Sequence, residues 1–284
     1  MKPRKRQIIF KINFYAIIRF IRIKILKKKP VPRMNFGLVR DKEDPRDKLY
    51  APFVKMRELP STTERKHFIN FPYRWDQGSL GSCTGHGGCA GLVQAILRNG
   101  QQIFDPSKLF AYYNARTPEN KTEDSGASVR DVIKGLNKYG VCRELIWPHI
   151  ESKFAETPPS KAYQEAELHQ ALEYYRIYPV TKEAIMNAIV QGYAVVYGQI
   201  LYESFMSEEV ARTGIVPVPR CWEEVIGGHC KCILDYEKAG VFEVNSWSRK
   251  WGINGGCLVP WKVILNERMC FDFWVIKLVE NNNF

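Results

Sequence analysis

The stretch from Asp76 to Gly91 constrains this chain more than any other. It begins with a tight glycine-containing approach, Asp76-Gln77-Gly78-Ser79-Leu80-Gly81-Ser82, and then sets Cys83 on the first turn of a helix that Ser82 can cap. That helix is expected to run to Arg98 and stop at Gly100, and it carries glycines at 85, 87, 88 and 91. Each helical glycine costs about 1 kcal/mol relative to alanine. Such a helix holds only where neighbouring backbone packs close enough to offset that cost, as at a buried boundary between two packing units. A cysteine at this place faces unsatisfied N–H groups and the positive end of the helix dipole, which favour a thiolate over a thiol. The thiolate is the nucleophilic form.

The rest of the pattern divides in two. Asp105-Pro106-Ser107 begins a second helix, and Ala127 to Tyr139 a third, ending at Gly140 with Val129, Val132, Ile133 and Leu136 on one face. A more polar helix is expected from Lys161 to Tyr175, and Thr181 caps a short one ending at Gly192. After it come AVVYGQIL, HCKCILDYE, VFEVNSW, GCLVPW and DFWVIKLV, short β-rich runs separated by turn residues. Helices first and strands afterwards indicate an α+β chain with two subdomains. The expected divisions are a basic apolar tail over 1–33, an extended arm over 34–74, and a main domain over 75–284. The main domain is helical over about 75–180 and β-rich over about 181–284.

The formal net charge of +12 belongs to the tail. Residues 1–33 hold twelve of the 42 Lys/Arg and none of the 30 Asp/Glu, which leaves the remainder balanced at thirty of each. The globular part therefore gives no sign of a nucleic-acid surface. Lys11, Arg19, Arg22 and Lys24 interrupt the apolar run of the tail, so it is neither a clean secretory signal nor a membrane span. It could lie on an anionic membrane surface, act as an address or removable leader, or form a flexible extension. Eight cysteines without an evident framework favour free thiols. An intracellular or virus-associated location is expected over a secreted one, and a monomer over an oligomer.

Two later windows complete the chemistry. Gly227-Gly228-His229-Cys230 starts a strand 146 residues after Cys83, and Val244-Asn245-Ser246-Trp247 ends a neighbouring strand with Asn245 sixteen residues beyond His229. An early cysteine followed at about 130–150 residues by a histidine and an asparagine is the papain and cathepsin spacing. DQGSLGSC, GGH, and NSW with KWGINGG resemble the three active-site blocks of papain-like cysteine peptidases. FDPSKLFAYYNAR, EDSGASVRDVIKGLNKYGVCRE and WPH are similar to segments of the bacterial and viral branch of that family, so the likeness spans residues 70–278.

The resemblance implies a papain-like two-subdomain fold, with a helical left part and an antiparallel β-barrel-like right part that flank a cleft. It implies a peptidase acting on protein or peptide substrates through a thioester on Cys83, with no cofactor and no metal. His229 would be the general base and acid, and Asn245 would hold its tautomer. Gln77 would donate to the oxyanion beside the Cys83 N–H. Trp247 would shield the His229–Asn245 bond, and Gly126 would bind substrate backbone. A resting thiolate–imidazolium pair follows, with a thiol pKa of about 3–4 as in papain. A zymogen is a further expectation, because the arm is the only segment available to cover the cleft.

This chain also departs from the family pattern. Leu80 stands where many relatives have a disulfide-forming cysteine, Thr84 replaces a tryptophan, and Ser248 replaces a glycine. His86 takes an apolar position, and Lys231 and Asp235 interrupt an apolar strand. His86, three residues after Cys83, is a second candidate base, with His229 preferred. His67, His149 and His169 are expected at the surface. The segment from Glu203 to Val225 is expected to border the cleft. Two alternatives share the same residues: a catalytically silent papain-like structural or binding component, for example of a virus particle, and an acyltransferase or deamidase using the same nucleophile.

Overall fold

The structure is a computed structural model that describes residues 36–51, 58–116 and 121–280. The basic tail, and the membrane-surface contact expected of it, lie outside the described residues. In chain order the elements begin with β1 (Leu38–Val39), α1 (Lys66–Asn70), α2 (Cys83–Arg98), α3 (Lys108–Ala115), β2 (Ala127–Ser128), α4 (Val129–Tyr139) and α5 (Ser160–Ala166). They continue with β3 (Ala171–Arg176), α6 (Lys182–Val190), β4 (Val195–Tyr202), α7 (Glu208–Thr213), β5 (Val225–Tyr236), β6 (Gly240–Val244), β7 (Gly256–Pro260), α8 (Trp261–Ile264) and β8 (Cys270–Val279).

The helix starts follow local chemistry. The side chains of Ser107, Ser128 and Thr181 accept hydrogen bonds from the backbone N–H groups of Phe110, Asp131 and Ala184, each satisfying one orphan donor of a first turn. Ser82 precedes α2, but its side chain makes no capping bond. The glycines of α2 act through close approach. A Cβ at Gly85 would lie 2.6 Å from the Lys108 carbonyl oxygen of α3, and one at Gly87 would lie 2.6 Å from Cys230 Sγ of β5. The helix is thus wedged between the helical part and the sheet, as its composition requires. One apolar cluster joins Leu92 and Ile96 to Phe110, Val132 and Leu136. A second, on the far side of the sheet, gathers Ile185, Tyr197, Val241, Trp261 and Phe273.

The sheet has the order β3-β8-β4-β5-β6-β7, and every neighbouring pair is antiparallel. Register shifts bend it. Among the described residues no ladder joins β3 to β7. One expected helix is corrected. Instead of Lys161 to Tyr175, helix α5 ends at Ala166, and Ala171–Arg176 forms edge strand β3 against β8. The pairing partner lies about a hundred residues away, so local periodicity carries no trace of it.

The stretch expected to be an extended arm also enters the body. Tyr50, Phe68 and Phe71 are buried, and the Tyr50 N–H donates to the Arg176 carbonyl at 2.7 Å. Two arginines, buried Arg130 and half-buried Arg176, clamp it. Arg130 and Arg176 both pair with Asp47, and Arg176 also reaches Asp272 at 3.0 Å. The Asp41 carboxylate accepts from the Arg130 backbone N–H and the Trp274 indole, each at 2.9 Å.

Candidate active site

Three elements converge at the start of α2. Cys83 comes from that first turn, His229 from β5, and Asn245 from the residue just past β6. The backbone N–H groups of Cys230 and Thr84 lie near enough to Cys83 to favour its thiolate, which places the thiol beside the residue that follows His229. His229 Nε2 lies 2.8 Å from Asn245 Oδ1. That oxygen also accepts from the Ser246 backbone N–H at 2.8 Å, a group that can only donate, so the amide is oriented with oxygen toward the imidazole. His229 therefore carries its proton on Nε2. Its Nδ1, buried without a hydrogen-bond partner among the described residues, is the bare nitrogen. Trp247 stacks on the imidazole with centroids 5.0 Å apart, and Phe205, from the segment expected to border the cleft, backs Trp247 at 5.5 Å.

Gln77 is buried in the approach to α2. Its Nε2 donates to the Leu80 carbonyl at 2.8 Å, and its Oε1 accepts from Ser246 Oγ at 2.6 Å. Its backbone N–H donates to the Ser246 carbonyl at 2.9 Å, beside an antiparallel bridge from Asp76 to Trp247. The tripeptide that supplies Asn245 and Trp247 thus also fixes Gln77 through Ser246, a residue the sequence places at the site without showing its task.

The arm lies across all of this. The Gly37 backbone N–H also favours the Cys83 thiolate, and the Gly37 carbonyl accepts from the Ala127 N–H at 2.8 Å. Phe36 meets the His229 ring edge-on at 6.3 Å. Gly126 has φ +74°, and a Cβ there would collide with the Gly37 carbonyl. Its contribution is a missing side chain, while the neighbouring Ala127 supplies the N–H. β1 and β2 pair in parallel, with Leu38 opposite Ala127. Leu38 fills the space that Gly198 and Gly228 leave beside Phe271.

This cover changes the expected electrostatics. Cys83 and His229 are fully buried. Burial pushes the Cys83 thiol up to about 11, against the pull of the surrounding N–H groups. Burial likewise lowers His229 to about 3, opposed by its bond to Asn245 and reinforced by the nearby Lys231 charge. In the covered site both groups are neutral, not the ion pair expected from the sequence, because excluding water disfavours either charge. His149 and His169 are likewise not surface groups. His149 packs edge-on against His86 at 4.9 Å, and fully buried His169 lies 4.3 Å from the Phe104 ring.

The chain is 38% identical over 280 residues to a peptidase C1-like protein of Acanthamoeba polyphaga mimivirus, covering 88% of this chain and 90% of that one. It superposes on xylellain, a cysteine protease from Xylella fastidiosa, with a TM-score of 0.79 and 27% identity, over 90% of this chain and 99% of that one. Procathepsin B of Trypanosoma congolense matches in fold, with a TM-score of 0.61 and 13% identity over 80% of each chain. No family model matches the chain.

Proposed function

Because the chain belongs to the papain-like cysteine peptidases, we propose that it cleaves peptide bonds of protein or peptide substrates with Cys83 as nucleophile and His229 as general base and acid. The observation that carries this is the His229 Nε2–Asn245 Oδ1 bond, which leaves Nδ1 as the bare ring nitrogen. Nδ1 accepts the thiol proton as sulfur attacks the scissile carbonyl, then delivers it to the leaving amine. Water attacks the resulting thioester with Nδ1 again as base, which releases the acid product and the thiol. The developing oxyanion is met by the Cys83 N–H and by the second N–H of the Gln77 amide, whose first is held by Leu80. Trp247 keeps water from the His229–Asn245 bond, and Gly126 leaves room for a backbone to run past Ala127.

Of the arm expected over 34–74, residues 36–51 act in this reading as a pro-segment. Phe36, Gly37 and Leu38 occupy the place a substrate needs, and Gly37 is tight enough that a Cβ would strike the Gly81 carbonyl. The test is intact mass after treatment with a peptidyl epoxide, on the full chain and on Gly37→Val, His229→Ala and Cys83→Ala. One adduct on Cys83 that depends on His229 and forms faster in Gly37→Val is expected. A Cys83→Ala protein that still hydrolyses peptides would end the proposal.

A further inference from the structure

Between the start of α2 and strands β5 and β6 lies a small cavity of about 10 Å³, lined by Trp75, His86, Lys231, Asn245 and Ser246 among others. That is about the least volume that admits one water molecule. Three of its lining residues hold buried polar atoms with no hydrogen-bond partner among the described residues: Lys231 Nζ, which is ion-paired with Glu243, and His86 Nε2 and Asn245 Nδ2, which have no such charge partner. The roles of the last two are complementary and fixed from outside the cavity. His86 Nδ1 lies 3.0 Å from the Ser82 carbonyl oxygen, an atom that only accepts, so the ring proton sits on Nδ1. Nε2 is then a lone pair. Asn245 has its oxygen committed to His229 and to the Ser246 N–H, so its amide protons have no acceptor. An acceptor and a donor, each buried, thus belong to residues that line a space of one water. Leaving both unmet costs about 1–3 kcal/mol each.

We infer that one water occupies this cavity, accepting from Asn245 Nδ2–H and donating to His86 Nε2, and that His86 is thereby a positioning residue for the Asn245 amide and through it for His229. The chain of contacts is Ser82 carbonyl, His86, water, Asn245, His229. It ties the backbone at the start of the nucleophile helix to the residue that orients the base. Burial first, then the neighbouring His149, holds His86 well below its ordinary pKa, so Nε2 remains an acceptor across the neutral range. This explains why a histidine stands at a buried position of the helix where the family favours an apolar side chain. His86 cannot serve as a second base, because its free nitrogen lines the cavity together with Asn245. The inference rests on the proposed role of Asn245 as orienter of His229.

Nitrogen-15 NMR of the full-length chain tests it without requiring turnover. The wild-type His86 ring should show the Nδ1–H tautomer, and the Asn245 side-chain amide should show a nuclear Overhauser contact to a bound water. His86→Phe should speed hydrogen exchange of that amide and move the His229 ring signals, and His86→Gln, which keeps an acceptor, should restore both. In hydrolysis, His86→Phe should lower kcat about 10- to 100-fold, the scale of a small misplacement, with KM little changed. An Nε2–H tautomer of His86, no water contact at Asn245, or unmoved Asn245 and His229 signals in a folded His86→Phe protein would each overturn the inference. If instead all NMR outcomes hold while no variant, wild type included, hydrolyses peptides even after the N-terminal arm is trimmed, the peptidase reading fails and the water bridge stands.

Discussion

At the scale of the residue, the site is a set of groups whose donors and acceptors are assigned by neighbours that have only one role. Gln77 illustrates this, since Leu80 takes one of its N–H groups and Ser246 Oγ occupies its oxygen. Gln77→Ala should lower kcat by roughly 10²–10³, the usual loss for one oxyanion donor, while His229-dependent labelling of Cys83 persists. Steady-state kinetics beside labelling rates would check both halves. The covered thiol gives a pH prediction of definite sign. Alkylation needs the thiolate, and burial has moved the Cys83 pKa from about 9 to about 11. Iodoacetamide should therefore react slowly at pH 7–9 in the full chain, with a rate that climbs toward pH 11. In Gly37→Val the rise should shift to lower pH, because water and the helix dipole again stabilise sulfur. Coincident profiles would detach the arm from the chemistry. His229 acts on stability in the opposite range. Its folded pKa of about 3 lies below the unfolded 6.5, so the unfolded chain binds more protons between those values, and this group destabilises the fold progressively as pH falls through that window.

At the scale of the element, β5 and β6 carry the base and its orienter, and their pairing is enforced one step inward. Lys231 and Glu243, both fully buried, form an ion pair between the two strands, and Tyr197 of β4 and Cys257 of β7 both direct hydrogen bonds to the same carboxylate. Alternate residues of a strand share a face, so this polar row and the His229–Asn245 row lie side by side on the sheet. Removing one charge of a buried pair leaves the other uncompensated, at a cost of about 3–5 kcal/mol. Lys231→Met should therefore be strongly destabilised in urea melts, and Lys231→Met with Glu243→Leu should recover most of the loss. A double variant no better than the single would show that the pair is not the coupled unit. The lysine that broke an otherwise apolar strand pattern in the sequence is thus explained by an acid on the next strand.

At the scale of the whole molecule, the arm and the body are joined more by charge than by apolar contact. Asp41, Asp44 and Asp47 meet Arg130, Lys134 and Arg176, and the apolar anchors of this stretch are the buried Tyr50 with the partly buried Phe36 and Leu38. Farther along, Phe68 and Phe71 belong to the main core. The chain from 58 onward is therefore structural, and the part able to leave is the stretch before it. Arg130→Ala should accelerate limited proteolysis within residues 36–51 and raise epoxide labelling of Cys83, while the body from 58 to 280 stays resistant. Equal cutting in wild type and variant would count against a latch. Across the molecule no described helix is long and apolar enough to cross a membrane.

The amino-acid sequence by itself determined the family and the α+β order, and it supplied Cys83, His229, Asn245 and Gln77 as the candidate site residues. Each lies in a short run whose glycines, caps and spacing are local properties. It also flagged His86 and Lys231 as out of pattern without saying why. Only the tertiary structure decided their partners, since Lys231 is answered by Glu243 on another strand and His86 shares a cavity with Asn245 from another subdomain. The same holds for β3, which turned a helical-looking stretch into an edge strand, and for Gly37, an ordinary glycine in a polar arm until it lies over a thiol. In each case the energy comes from desolvation and pairing between segments distant in sequence, and these have no local period for a sequence to display.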